Sequence, residues 1–259
     1  MQKNTNVHST DGIVLRTIDY GEADRIVAFL TPDQGIFRGF GRNARKSKKR
    51  FGAALQSCAQ VRLFWTQSRS GALPNLQEVE LVDLRTGLRR DLTAIALASY
   101  GCDLTEKLLH EGQTHPEIYY LLRALLDRLA EAGGSAEARV LFELRLLQLS
   151  GYAPHLRHCS ECGGGLPGEE AGFDARRGGS LCAACMTGSA ALRVYPPVLG
   201  TLARCLETPV DLFAGFRFSP RTVTDATAVL ADALRQHWGS TPKSLPFLEE
   251  VLAEADPGA

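Results

Sequence analysis

No stretch of this sequence stays apolar for long. The longest uncharged run near a predicted helix, Leu92 to Cys102, is stopped by Asp103, far short of the ~20 residues that a membrane-crossing helix needs. The opening residues, Met1 to Asp11, are polar and lack the apolar segment of a secretory signal. Both absences lead to the expectation of a soluble, cytoplasmic protein. Catalytic fingerprints are missing as well. There is no G-x-x-x-x-G-K-S/T phosphate loop, no G-x-S-x-G elbow and no G-x-G-x-x-G turn. His110, Glu111 and His115 imitate a zinc-protease motif, but the two histidines are five positions apart and so do not share a helix face. Gly112 and Pro116 would break the helix in any case, so the segment reads as a polar loop.

Net charge is lacking too, since 29 basic residues cancel 29 acidic ones. That balance would exclude a nucleic-acid binder if the charge were spread evenly, and it is not. Met1 to Val82 holds 12 Lys and Arg against 7 Asp and Glu, and seven of those cations fall between Arg38 and Arg50 with no acid among them. The 44% apolar and 22% charged content is that of a folded chain, and 259 residues allow two domains with room for a small module.

Residues 12–82 read as β-structure. Gly12–Ile18, Arg25–Thr31, Gly35–Gly41, Cys58–Gln67 and Leu73–Val82 are rich in Val, Ile, Leu, Phe and Trp. Turn signals at Asp19-Tyr20-Gly21, Pro32 to Gly35 and Ser70-Gly71 separate them. Val61, Leu63 and Trp65 fall on one face of a strand, and Arg62, Phe64 and Thr66 on the other. Five short strands in so few residues predict a small antiparallel barrel or a fragment of a sandwich.

From about residue 89 the period becomes helical. Ile118, Leu122, Leu125, Leu126 and Leu129 form one stripe, begun by Pro116 and ended by Gly133-Gly134. A second helix is predicted over 136–150 and closed by Gly151. A third starts at Ser219-Pro220, turns Val223, Ala226, Leu230, Ala233 and Leu234 inward, and stops at Gly239. These helices can bury one another as an all-α domain. Residues 155–190, rich in Gly and Cys, follow neither period and need their own organiser.

The cysteines supply one. Cys159-x-x-Cys162 and Cys182-x-x-Cys185 are two knuckles at the spacing of a zinc site, and four thiolates make a closed, structural shell for one Zn2+. Gly163-Gly164-Gly165 after the first knuckle lets the backbone turn toward sulfur, and Gly178-Gly179 precedes the second. Disulfide, redox and iron–sulfur uses are the weaker alternatives, because no export signal or βαβ unit accompanies the cysteines. His155 and His158 read as neighbours, not ligands. Cys58, Cys102 and Cys205 read as small buried apolar side chains.

Arg38, Arg42, Arg45, Lys46, Lys48, Lys49 and Arg50 are the candidate nucleic-acid-binding residues, with Arg16 and Arg25 as weaker ones; the alternative is an idle, solvated loop. Such density repels itself until phosphates neutralise it. Phe37, Phe40 and Phe51 flank the run, and Phe64 and Trp65 lie on a neighbouring strand. Aromatics beside a cationic track suit single-strand binding, in the chemistry the OB-fold uses. For Phe64 and Trp65 the preferred reading is barrel core.

Several segments together resemble the RecO family of bacterial recombination mediators. They are Asp11 to Val27, Lys46 to Gln56 (K-S-K-K-R-F-G-A-A-L-Q), Arg139 to Pro154 leading into C-S-E-C-G, the second knuckle within F-D-A-R-R-G-G-S-L-C-A-A-C, and His237 to Leu248. The resemblance implies an α+β multidomain protein: a five-stranded OB-fold β-barrel over 1–84, an all-α helical domain over 85–154 and 191–259, and an inserted four-cysteine zinc-binding module over 155–190. It also implies a non-enzymatic protein of the bacterial cytoplasm and nucleoid. Such a protein would bind ssDNA and dsDNA, anneal complementary strands and, with RecR, help load RecA onto strands coated by single-strand-binding protein (SSB). The acidic, apolar C-terminal tail of SSB would dock in a groove rimmed by basic residues, with Arg139 and Arg145 as candidates. The competing reading is a zinc-organised interaction scaffold whose basic loop docks an acidic protein surface.

Overall fold

The computed structural model describes residues 6–68, 72–186 and 191–255. The Ser70-Gly71 turn and the last four positions of the 155–190 module lie outside them. The chain forms two compact units, Met1–Gly133 with Pro242–Ser244, and Gly134–Thr241 with Leu245–Ala259.

The first unit opens with β1 (His8–Tyr20), β2 (Asp24–Thr31), β3 (Gly35–Gly41), β4 (Gln60–Thr66) and β5 (Asn75–Asp83). They close into a barrel in the order β1-β2-β3-β5-β4, the topology of an OB-fold. Its interior follows the predicted alternation on β4, where Val61, Leu63 and Trp65 pack inward with Val14, Val27, Phe29 and Phe37. On β5 a register shift against β4 breaks the alternation, so Leu76 and Val79, three apart, both face the core. The barrel is not antiparallel throughout. Closure between β3 and β5 is parallel, at Phe40 opposite Asn75, because the 18 residues between β3 and β4 carry the chain across the barrel before β4 begins. The β2–β3 turn is tight. Gly35 has φ +62°, and a Cβ there would lie 1.9 Å from the carbonyl oxygen of Gln113.

Two helices complete this unit, α1 (Leu92–Leu108) and α2 (Pro116–Ala132). Asp91 caps α1 by accepting from the Thr93 N–H at 3.0 Å. Pro116 occupies the first turn of α2, as its fixed φ allows. His110, Glu111 and His115 lie in the irregular segment between the two helices.

The second unit begins with α3 (Ala136–Leu149), capped by Ser135, and is almost wholly buried from Ala138 to Leu147. There follow β6 (Ala171–Asp174), β7 (Gly179–Leu181), the short α4 (Ala183–Met186) and β8 (Leu192–Val194), the strands forming a sheet in the order β7-β6-β8. Then come α5 (Pro196–Cys205), α6 (Pro220–Arg235) and α7 (Leu245–Ala255). Ser219 caps α6 through the Thr222 N–H at 3.2 Å, and Ala226, Val229, Leu230, Ala233 and Leu234 form its inner stripe. Among the described residues, no helix is long and apolar enough to cross a membrane.

Candidate metal centre and nucleic-acid interface

The two cysteine knuckles converge. Sγ atoms of Cys159, Cys162, Cys182 and Cys185 all lie within 4.8 Å of one another. Those of Cys162 and Cys182 are 3.7 Å apart, close to the ~3.8 Å edge of a tetrahedron whose metal–sulfur bonds are about 2.3 Å. The backbone prepares this geometry. The Gly163 N–H donates to the Cys159 carbonyl at 3.0 Å, the Cys159 N–H to the Gly164 carbonyl at 2.8 Å, and the Met186 N–H to the Cys182 carbonyl at 2.9 Å. The first turn requires the φ of +69° at Gly163. Gly179, at φ +137°, runs against the His155 backbone so closely that a Cβ would lie 2.3 Å from its carbonyl oxygen.

The thiols compete for protons. Burial pushes the Cys159 thiol up, but N–H groups of Cys162, Cys182 and Glu161 outweigh it and bring it down to about 6. Hydrogen bonding with Cys182, Cys159 and Cys162 holds Cys185 strongly protonated. Four sulfurs this close resist shedding four protons unless a cation sits among them, and the donor set fits a thiophilic metal ion. His158 is exposed and stands outside the four-sulfur group, 5.8 Å ring to ring from His155.

The basic run occupies the connection between β3 and β4, a succession of turns. Arg42, Arg45, Lys46, Lys48 and Lys49 line it, together with the half-buried Arg50. Two ends hold the connection down. At its start the Asn43 N–H donates to Asp24 Oδ1 at 2.7 Å, and the Arg45 N–H to the Ala23 carbonyl at 3.0 Å. At its end the Val79 N–H of β5 donates to the Arg50 carbonyl at 2.9 Å. Arg50 also donates to the Arg42 carbonyl at 2.7 Å and lies over the Phe51 ring. Among the described residues, no carboxylate pairs with Arg42, Lys46, Lys48 or Lys49.

The remaining predicted cations stand apart from that set. Arg38, on β3, pairs with Glu106 at 3.0 Å and also with Glu111. Arg16 holds Glu106 through two hydrogen bonds at 2.8 and 3.0 Å. Burial pushes the Glu106 carboxyl up, and these two guanidiniums outweigh it and hold it below the usual carboxylate range. Arg25 pairs with Asp19 at 2.9 Å. Phe37, Phe51 and Trp65 are core side chains. Phe64 is half-buried on the opposite face of β4.

Three features have no local sequence signal. The Arg85 side chain is fully buried, donating to Asp127 at 2.8 Å, to the Cys58 carbonyl at 2.7 Å and to Gln60 at 3.2 Å. The sulfurs of Cys58 and Cys102 are 3.7 Å apart in the interior, so two cysteines read as isolated are partners. Arg139 and Arg145 are interior, not at a groove rim. Arg139 pairs with Glu143 at 2.9 Å, and Arg145 lies over the Phe213 and Phe216 rings with a bond to Thr208 at 2.9 Å. A long guanidinium on a helix with few exposed positions turns inward when carboxylate, hydroxyl or ring partners are there.

Comparison with known proteins matches both regions to one family. The profile described as "Recombination protein O N terminal" covers residues 3–85, and "Recombination protein O C terminal" covers 89–246. The chain is 50% identical over 244 residues to a protein named DNA repair protein RecO from Syntrophotalea carbinolica, covering 94% of each. It is 37% identical over 242 residues to one of the same name from Pelobacter propionicus, covering 93% of this chain and 96% of that one. With the namesake from Geobacter metallireducens the identity is 35% over 242 residues, covering 93% and 97%.

Proposed function

The chain belongs to the RecO family of DNA repair proteins, and from that membership we propose that it is a non-enzymatic, ATP-independent mediator that anneals DNA strands. Repair and recombination of DNA follow from the family; the mechanism is our reading of the residues. Arg42, Lys46, Lys48 and Lys49 would neutralise phosphates, supported by Arg45 and Arg50, so that two strands approach without the repulsion that normally separates them. The grip must leave base edges open, because a deep base pocket would block pairing. A surface connection of turns satisfies that requirement, and a closed cleft would not. Arg38, Arg16 and Arg25 would sit behind this front and tune its field through the carboxylates they already hold.

The observation that carries the reading is the cluster of Arg42, Lys46, Lys48 and Lys49, without carboxylate partners among the described residues, on a connection tied at both ends to a small closed barrel. We assign the four-sulfur cluster to one Zn2+, which when bound supplies folding free energy and no reaction chemistry. RecR and the C-terminal tail of SSB are the proposed protein partners, and delivery of RecA to SSB-coated single strands the proposed outcome, in the bacterial cytoplasm at the nucleoid.

The test is annealing of complementary labelled oligonucleotides, bare and SSB-coated, without nucleotide triphosphate. Acceleration of both reactions is expected. Acceleration of neither would favour the scaffold reading, in which the basic loop docks an acidic protein. Cleavage of the strands in magnesium would overturn the non-enzymatic assignment.

A further inference from the structure

The barrel buries Phe29, Phe37, Phe51 and Trp65 but leaves Tyr20 and Phe40 on its outer face, away from Phe64 on β4. Cross-strand pairing aligns Ile18 with Ile26, and Ile26 with Phe40, in a row over the outer face of β1, β2 and β3. Tyr20, two residues beyond Ile18, lies on that same face. Its ring meets the Phe40 ring edge-on, with centroids 5.9 Å apart. Tyr20 is 57% exposed and Ile18 41%, while Phe40 and Ile26 are half-buried. The adjoining row is Arg16, Ala28 and Arg38.

This apolar patch adjoins the basic connection. The turn that begins at Tyr20 is the one to which that connection is tied: Asn43 donates to Asp24, and Arg45 donates to the carbonyls of Ala23 and Glu22. The acid nearest the ring in sequence, Asp19, is already answered by Arg25 at 2.9 Å and Arg45 at 3.6 Å. An exposed aromatic beside a run of cations is complementary to one polymer in particular, a nucleic acid strand with unpaired bases. Its phosphates seek the charge and its bases seek the ring. An acidic protein surface would use the cations and leave the rings idle.

We propose that Tyr20 and Phe40 form a base-stacking platform on the outer face of β1 to β3, and that a single strand lays its bases there while its phosphates follow Arg42 to Lys49. Tyr20 contacts the base directly. Phe40 supports it edge-on and fixes the plane of the ring. The proposal rests on the reading that the basic connection binds DNA, and it adds the part of the site that distinguishes unpaired from paired strands. A shallow platform of this kind holds a base by its face and leaves its pairing edge free, which suits annealing.

The experiment compares two fluorescent strands of about 12 nucleotides, one of thymidylate and one with the same phosphodiester backbone but abasic sugars, at low salt. The full-length protein should prefer the base-bearing strand. Tyr20→Ala should weaken binding of that strand about 10-fold and leave the abasic affinity and the salt dependence of both unchanged. Tyr20→Phe should restore the preference. Phe40→Leu, which keeps much of the packing volume, should weaken base-bearing binding less than Tyr20→Ala does. Equal wild-type affinity for the two strands would overturn the platform while leaving the phosphate reading intact. So would a Tyr20→Ala variant that keeps the preference or loses both strands alike. Binding of neither strand by the wild type would overturn the parent reading.

Discussion

The salt dependence of DNA binding can be worked out from the ion pairs. Seven cations crowd residues 38–50, but they differ in what already neutralises them. Arg38 is committed to Glu106 and Glu111, Arg45 leans on Asp19, and Arg50 spends its guanidinium on a backbone carbonyl and Ser47. Arg42, Lys46, Lys48 and Lys49 remain with no carboxylate pair among the described residues. Each phosphate contact to a single strand contributes about −0.7 to the slope of log K against log salt, so four give about −2.8. Between about 50 and 200 mM salt the affinity should then fall about 50-fold. Replacing Lys46, Lys48 and Lys49 together with Ala leaves one such contact and a slope of about −0.7, a loss of only about 2–3-fold over the same interval. Arg38→Ala should leave the slope where it was, because its charge is already answered within the protein. Fluorescence anisotropy titrations over a series of salt concentrations, with melting curves to show that each variant folds, measure all three slopes. A triple variant with the wild-type slope would remove Lys46, Lys48 and Lys49 from the phosphate contacts, and an Arg38→Ala variant that flattens it would show that the ion pairs do not decide which cations reach DNA.

One equivalent of zinc per chain should be found by metal analysis, and a chelator or Cys182→Ser should lower the melting temperature of the second unit; a metal-free chain that melts normally would contradict the structural role. Arg85→Met removes a fully buried guanidinium with partners in Asp127, Gln60 and the Cys58 carbonyl, and should cost about 3 kcal/mol in urea unfolding, with less than about 1 kcal/mol counting against the burial argument. Glu106 is held below its ordinary value by Arg16 and Arg38. Its contribution is therefore present above the unfolded glutamate value of about 4.3 and is lost as pH falls through the folded one. Since Arg16 is 51% exposed and Arg38 31%, solvent screening limits the effect. Glu106→Gln should be less stable than wild type by about 1 kcal/mol at neutral pH, and the gap should close toward acid; a gap independent of pH would show that the charge does not matter.

The barrel is legible in the sequence because strand alternation and turn residues are local signals. Val61, Leu63 and Trp65 alternate with Arg62 and Phe64, and the same alternation separates core from surface in the fold. The cysteine knuckles are legible for a related reason: their spacing carries the chemistry by itself. Pairing across long separations is not legible. Arg38 looks like a member of the basic run until Glu106, 68 positions away, is brought beside it. Cys58 and Cys102 look solitary although 44 positions of chain fold back to join them. Phe51 looks like a stacking residue next to Arg50, yet the connection turns it into the core. Tyr20 reads as a turn residue, and only the register with β2 and β3 puts it on the face that carries Phe40.

On the proposed function, DNA is expected along the connection between β3 and β4. Amide hydrogen exchange followed by mass spectrometry, on the zinc-loaded full chain with and without a saturating oligonucleotide, reads that location directly. Protection is expected in peptides covering residues 42–51 and in the strand ends around Tyr20. Saturated DNA binding with no change in those peptides, and protection only elsewhere in the chain, would contradict it.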